Sequence, residues 1–175
     1  MKNTNNAGVH QISLMDEKGG VHVGVKLRKV ADELEMSMEE YLAFFDRETY
    51  EVVRFPPGMY DEVEMGEPYE TRGDWLDEDW KSAEMVVHNE ERFVELPSKW
   101  DIHDYEIIES FSYSIKDEQV RTQVLNAIRG SGAFRRFREH IEYHGLLEDW
   151  YKYKSDWYAE IAREWCEEND IPYEE

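Results

Sequence analysis

The segment 39–55, "EEYLAFFDRETYEVVRF", decides the fold class of this chain. β-forming side chains crowd both ends of it, as Tyr41, Leu42, Phe44 and Phe45 before the polar residues 46–50, and as Val52, Val53 and Phe55 after them. Two such runs around a polar connection predict two short strands joined by a turn. Prolines Pro56 and Pro57 then end the second strand, because proline cannot donate a backbone hydrogen bond to a sheet.

On either side of this hairpin the periodicity changes. Val21, Val23 and Val25 alternate and predict a strand, and helical spacing follows at Leu27, Val30, Ala31 and Leu34. After an extended piece at 92–97, "RFVELP", apolar residues recur every three to four positions. We therefore predict an α+β fold, in which a small N-terminal antiparallel sheet with one helix packs on a mainly helical C-terminal part. Within those helices we expect one buried face to carry Trp100, Tyr105, Ile108, Phe111 and Ile115, and the core to include Phe134, Phe137, Trp157 and Ile161.

A chain of 175 residues is most simply one domain. Residues 1–20 are polar and rich in Asn and Gly, so we predict a flexible extension there. Residues 21–175 form the single domain, with a sheet part at 21–60, an acidic loop leading into a helix at 61–79, and a helical part at 80–175.

Charge and cysteine content restrict the partners and the compartment. The 41 Asp and Glu residues against 20 Lys and Arg give a net charge of −21, which repels nucleic acid and anionic membranes and favours basic partners. The single cysteine, Cys166, excludes an intramolecular disulfide and lies among acids, so we interpret it as a packing residue. No apolar run is long enough to span a membrane, and we expect a cytoplasmic protein.

Four arginines stand out in this acidic chain, around the turn "AIRGSGAFRRF" at 127–137. The candidate binding residues there are Arg129, Gly130, Gly132, Arg135, Arg136 and Arg138. A helix that begins after Gly-Ser-Gly offers free backbone N–H groups, so the segment could hold a phosphate or a carboxylate. The alternative is structural: Gly130 ends one helix, and a half-buried Arg136 pairs with carboxylates of neighbouring helices.

Two histidines form a second, weaker candidate. His140 and His144 are four residues apart on one helical face, the spacing of two metal ligands, and Glu148 or Asp149 could supply a third. Exposed helix histidines are the commoner interpretation of this spacing, so we predict no metal and no cofactor. No Ser/His/Asp or Cys/His order indicates a catalytic site.

Three segments carry a family resemblance: "FVELPSKWDIHDYEIIESF", "VLNAIRGSGAFRRF" and "DWYKYKSDWYAEIAREWCEENDIPY". They resemble the bacterial uncharacterised protein family UPF0158, over roughly residues 21–173. Its Gly-x-Gly-Ala-Phe-Arg-Arg-Phe order is the most specific part. One departure is Tyr50, where that family usually has Gly in a Thr-Gly-Glu turn. The resemblance supports the fold and the cytoplasmic location, and it implies no catalytic residues.

These observations favour a binding or regulatory protein that acts through contacts with another protein, with a basic protein as a candidate. An acidic inhibitor or nucleic-acid mimic that uses residues 61–79 is the main alternative. A metal-dependent or hydrolytic enzyme is the second alternative, and it would need a pocket that the sequence does not reveal.

Overall fold

A computed structural model describes residues 24–69 and 74–175, together with two short strands at 14–15 and 21–22. The predicted extension at 1–20 otherwise lies outside the described residues. In chain order the elements are β1 Leu14–Met15, β2 Val21–His22, β3 Val25–Lys26, α1 Leu27–Glu35, β4 Leu42–Asp46, β5 Val52–Phe55, α2 Pro57–Glu64, α3 Asp74–Val87, β6 Phe93–Glu95, α4 Asp104–Ser114, α5 Glu118–Ala127, α6 Ala133–Tyr143, α7 Leu147–Glu168 and β7 Tyr173–Glu174.

The predicted hairpin forms two strands of a three-stranded antiparallel sheet in the order β5-β4-β6, with β4 at the centre. Phe44 pairs with Val53, and its ring stacks on Phe55 at 5.5 Å between centroids. The next residue, Phe45, points to the opposite face and packs edge-on against Trp165 of α7. Because successive side chains of a strand point to opposite faces, β4 is buried between α2 and α3 on one side and α1 and α7 on the other.

A separate apolar cluster holds α4, α5 and α6 together. Its fully or nearly fully buried members include Ile108, Phe111, Ile115, Val124, Ile128, Phe137 and Ile141. The structure confirms the α+β prediction: a small antiparallel sheet with a helix packs on a mainly helical C-terminal part. None of the helices in the described ranges is both long and apolar enough to cross a membrane.

Several predicted core residues differ in burial. Phe137 is 3% exposed and confirms the prediction, whereas Phe134 is 53% exposed and contradicts it. Trp157 and Ile161 are half-buried against the core beside the sheet. Trp100 is 71% exposed, because α4 begins only at Asp104 and Trp100 therefore lies outside its buried face; Tyr105, in the first turn, is also exposed.

The acidic segment at 61–79, predicted as a loop leading into a helix, also begins in a helix. Pro57 starts α2, since a proline in the first helical turn loses no hydrogen bond. Met59 and Val63, four residues apart, bury one face of α2 in the cluster that also contains Trp80 of α3. Helix therefore occupies both ends of the segment, to Glu64 and again from Asp74.

The strands β3 and β7 pair in parallel and bring distant parts of the chain together. The Val25 amide donates to the Pro172 carbonyl at 2.9 Å. Gly24 makes this approach possible, because a Cβ atom there would lie 2.6 Å from the Pro172 oxygen. This pairing fixes residues 171–174 at one edge of the sheet part.

Candidate functional site

Arg136, near the start of α6, is half-buried as predicted, but its partners are not carboxylates. Its guanidinium donates from Nε to the Ala127 carbonyl at 2.6 Å, from Nη1 to Ser131 at 2.6 Å, and from Nη2 to Arg129 at 2.8 Å. The last carbonyls of a helix have no intrahelical donors. Arg136 therefore supplies the donors that the end of α5 and the following turn require.

The backbone conformation of this turn favours glycine at two positions. Gly130 and Gly132 adopt φ values of 75° and 78°, in the left-handed region that L-residues avoid. At Gly132 a Cβ atom would also approach Arg136 Nη1 to 3.0 Å. The Gly-Ser-Gly sequence thus shapes the turn around the Arg136 guanidinium, and a ligand role for these glycines stays a prediction.

The other three arginines are exposed. Arg135 forms an ion pair with Glu139 at 2.8 Å, one turn further along α6. Arg138 Nη1 donates to the hydroxyl of Tyr151 at 3.0 Å. Arg129 lies on the surface of the turn and forms no ion pair within the described residues. The structure thus separates one structural arginine from three that a ligand could reach.

The predicted histidine pair lies on one face of α6 and at its end, with ring centroids 6.3 Å apart. His144 Nε2 lies 3.0 Å from Gln123 Oε1 of α5. Across residues 24–69 and 74–175, no group of three His, Cys, Asp or Glu side chains converges as a metal site would require. The contact that His144 makes here is with an amide of the neighbouring helix.

A concave site lies elsewhere, where three turns of the chain meet. A cleft of about 1410 Å³ opens between the β4–β5 turn, the turn that follows α3, and the end of α7. We name it the three-turn cleft; residues 47–50, 87–92 and 166–174 contribute its walls. None of these stretches was among the sequence-predicted site residues.

Asp46, at the end of β4, organises one wall of this cleft and is only 3% exposed. Its Oδ1 accepts from the Glu48 amide and from Arg92 Nε, at 2.9 and 2.8 Å. Its Oδ2 accepts from Thr49 Oγ1 at 2.8 Å and from Arg92 Nη2 at 2.5 Å. A bidentate ion pair thereby ties the β4–β5 turn to the turn that precedes β6.

The environment of Asp46 keeps its carboxyl ionised. Burial alone would raise its pKa, but hydrogen bonds from Arg92, the Glu48 amide and Thr49 outweigh burial and lower the pKa to about 2. Arg92 also forms an ion pair with Glu48 at 2.8 Å. Arg47 is engaged too, because its Nη1 donates to the Asn169 carbonyl at 2.9 Å.

Backbone strain is concentrated at the same cleft. Among the described residues, the two non-glycine residues with positive φ are Tyr50 at 60° and Asp170 at 53°, and both line the cleft. Tyr50 is buried, and its ring stacks on Phe45 at 6.0 Å. Such conformations cost free energy and cluster at functional sites in proteins. Strained residues and a large cleft in the same place support a functional role more than the size of the cleft alone does.

Cys166 belongs to the cleft wall, yet the residue is fully buried. Burial, reinforced by the Glu167 carboxylate, raises the pKa of the thiol to about 11. The thiol is therefore protonated at neutral pH and unsuited to nucleophilic attack, as the sequence predicted for a packing residue.

The sequence model of the Uncharacterised protein family (UPF0158) matches residues 25–174, from β3 through β7. The chain belongs to this family. A UPF0158 protein of Pseudomonas aeruginosa is 30% identical over 66 residues, which cover 37% of this chain and 43% of that protein. The match thus spans less than half of that relative's length. No protein of solved structure matches the chain.

Tyr50 differs from the residue that the resemblance to UPF0158 implies at this position. The glycine that the UPF0158 resemblance implies at this position suits a left-handed backbone, and this chain holds a tyrosine in that conformation instead. The hairpin register is not disturbed, because Phe45 pairs with Val52 across the turn. Tyr50 contributes a buried aromatic ring to the wall of the three-turn cleft.

Sequence reasoning missed this site because its walls come from three distant segments. One signal was present: Asp46 is followed three residues later by Thr49, a spacing at which a side-chain hydroxyl can reach an Asp carboxylate within a turn. Arg92 gave no signal, since its partner lies 46 residues away in the chain.

Proposed function

We propose that this protein is a binding protein whose three-turn cleft takes a cationic segment of a partner protein. The observation that carries this proposal is the coincidence of a large open cleft with the two strained residues, Tyr50 and Asp170. Strain of this kind persists only where the surrounding structure imposes it, and it is frequent at ligand sites.

The charge of the cleft supports a cationic occupant. Glu90, Glu91 and Asp170 are exposed along its walls. The two wall arginines are already bound, Arg92 to Asp46 and Glu48, and Arg47 to the Asn169 carbonyl. An incoming ligand therefore meets exposed carboxylates, whereas the two half-buried guanidinium groups already have partners, and complementary charge favours lysine or arginine side chains.

The cleft also offers apolar contact area. Pro172 is exposed in its wall, and Val87 and Tyr173 are half-buried there. Interfaces between proteins combine an apolar centre with a polar rim. A segment that carries one apolar or aromatic side chain among basic ones matches this arrangement better than a free polyamine, which has no apolar side chain to bury.

Binding is better supported than catalysis by the buried titratable groups. The Asp46 carboxylate accepts four hydrogen bonds and has a pKa of about 2, so it is a poor proton carrier near neutral pH. The Cys166 thiol, with a pKa of about 11, is a poor nucleophile.

The test uses the full chain and a labelled short peptide that contains arginines and one aromatic residue, with its Arg→Glu counterpart as the control ligand. Fluorescence anisotropy should show saturable binding of the basic peptide that weakens between about 0.05 and 0.5 M salt, because screening shortens from about 14 Å to about 4 Å. The double variant Glu90→Lys with Glu91→Lys should weaken binding by about tenfold or more.

A matched control is Glu142→Lys with Glu148→Lys, which makes the same charge change on exposed residues outside the cleft. That variant should retain most of the affinity. Equal losses in the two variants would show only a general charge effect and would reject the cleft as the site. Equal binding of the basic and acidic peptides would reject a cationic partner.

The nucleic-acid mimic that uses residues 61–79 stays a second prediction without a specific observation in its favour. The part at 61–64 belongs to α2, and residues 70–73 lie outside the described residues.

A further inference from the structure

The longest stretch of the chain without Asp or Glu runs from residue 119 to residue 138 and contains five arginines. Two of them close helix ends: Arg121 donates to the Ile115 carbonyl at 3.0 Å, and Arg136 donates to the turn after α5. The other three, Arg129, Arg135 and Arg138, are exposed. With Phe134 and Tyr151 they form what we call the basic island.

The charges of the island are only weakly compensated. The Arg135–Glu139 pair is exposed on both sides, at 72% and 57%, and such surface pairs between successive turns exchange readily for other partners. Arg138 is held by the neutral Tyr151 hydroxyl, which leaves its charge intact. A local positive surface therefore persists in a chain whose net charge is −21.

Exposed aromatic rings accompany these charges. Phe134 is 53% exposed and lies four residues before Arg138, so both side chains lie on neighbouring parts of α6. Arg138 in turn contacts Tyr151, a 50% exposed residue of α7. Arginine with tyrosine and phenylalanine is the composition that distinguishes the centres of protein interfaces from ordinary surface.

We propose that the basic island binds an acidic segment of another protein. The carboxylates of that segment would pair with Arg129, Arg135 and Arg138, and one of its apolar side chains would cover Phe134. Phe134 has an i, i+3 neighbour, Phe137, that is fully packed in the core, so the island rests on a rigid helix. The inference is independent of the three-turn cleft, which has the opposite charge and shares only α7 with the island, at the other end of that helix.

A protein segment fits this face better than nucleic acid does. The island has only three exposed arginines, and acids lie near them in the chain at Glu139 on α6 and at Glu148 and Asp149 at the start of α7. A polyphosphate backbone running beyond the patch would meet these carboxylates, whereas nucleic-acid sites present an extended basic stripe. A second copy of this chain fits less well, because its own net charge of −21 would repel the acidic surface around the island.

The experiment measures anisotropy of a pool of labelled acidic peptides, each with one Leu or Phe, against the full chain at about 0.15 M salt. The double variant Phe134→Ala with Arg138→Gln should lower the affinity for the tightest-binding peptide about tenfold or more. The control Tyr143→Ala with Lys81→Gln also removes one exposed ring and one exposed cation, outside the island, and should leave the affinity unchanged. Glu90→Lys with Glu91→Lys should not weaken it, which separates this site from the cleft.

Three outcomes would overturn the inference. The first is that no acidic peptide binds, or that the control variant loses as much affinity as the island variant. The second is tighter binding of a labelled single-stranded RNA or duplex DNA than of any peptide at the same salt. The third is self-association of the chain in sedimentation that Phe134→Ala abolishes, which would assign the island to a contact between copies.

Discussion

A half-buried arginine lies at each of two places, Arg92 in the wall of the three-turn cleft and Arg136 beside the basic island, and the two arginines bind different kinds of partner. Arg92 binds the carboxylate of Asp46, from which it is separated by 46 residues in the chain. Arg136 binds carbonyl oxygens five to nine residues away. The first contact joins two turns of the sheet part, and the second closes one turn between neighbouring helices. Arginines with similar exposure can therefore stabilise tertiary structure or local structure, according to the sequence distance of the partner.

The basic island lies on α6, which has one buried phenylalanine, Phe137, and one exposed phenylalanine, Phe134. Phe137→Ala should lower the free energy of unfolding by about 3–5 kcal/mol, because it leaves a cavity among Phe111 and Trp150. Phe134→Ala should cost under about 0.5 kcal/mol, because more than half of the side chain is already in water. Denaturant melts of the two variants measure the difference. Similar losses would mean that the exposed ring also packs in the core.

The cleft arginine is tested through its partner. Asp46→Asn keeps the shape of the side chain but removes the charge that Arg92 binds, so we expect a loss of about 2–3 kcal/mol in denaturant melts. Asp61→Asn, an exposed aspartate of α2, is the control and should change stability by under about 0.5 kcal/mol. An unchanged free energy of unfolding in Asp46→Asn would show that the ion pair does not stabilise the turn.

The same ion pair should make the free energy of unfolding depend on pH in the acid range. The pKa of Asp46 falls from 3.8 to about 2 on folding, so the folded state holds fewer protons in this range. The contribution of about 2 kcal/mol is complete above about pH 4 and is lost as the pH falls through 2. The difference in unfolding free energy between the parent chain and Asp46→Asn should therefore shrink as the pH falls from 5 to 2. A difference that is constant with pH would contradict a charge-based role.

Arg136 and its exposed neighbour Arg138 differ in how many donors they use. Arg136→Lys should cost about 1 kcal/mol, because an ammonium cannot reach the carbonyls of Ala127, Arg129 and Ser131 in the geometry of a guanidinium. Arg138→Lys should leave stability within about 0.5 kcal/mol of the parent, since its one contact is an exposed hydroxyl. Thermal melts of this pair decide whether Arg136 closes the turn. Equal shifts would assign both side chains to the surface.

The smallest expected effect concerns the end of α7. Asp170 occupies the left-handed position after a helix that Gly145 occupies after α6, and in both cases the following amide bonds back into the helix. Asp170→Gly should therefore stabilise the chain by about 0.5 kcal/mol, as relief of strain exceeds the added flexibility of the unfolded chain. If this variant binds the basic peptide as tightly as the parent, the strain at Asp170 has no part in recognition.

The fold was predictable where burial follows a simple period. Two runs of β-forming side chains predicted the hairpin around residues 46–50, and helical spacing predicted α5, α6 and α7. Periodicity also explains the error at Phe134: Phe134 and Phe137 are about 60° apart around a helix, and an apolar stripe read from sequence is too broad to tell the centre of a face from its flank. The helix α2 was missed because prolines 56 and 57 were interpreted only as the end of a strand.

The candidate sites depended on contacts that sequence does not encode locally. The arginine segment could be recognised from its charge, but whether Arg136 meets carboxylates or carbonyls depends on where α5 ends. The three-turn cleft joins residues from three turns, so no window of sequence contains it. Asp46 looked like an ordinary turn residue, since its burial arises from Arg92 and the packing of β6 beside it.

The parallel pairing of β3 with β7 closes a loop that includes nearly all of the family match. The entropy lost on closing a loop grows with its length, and long-range pairing is slow for that reason. We therefore expect the wall of the three-turn cleft that residues 171–174 provide to form late in folding. A ligand of the cleft would then distinguish folded molecules from partly folded ones.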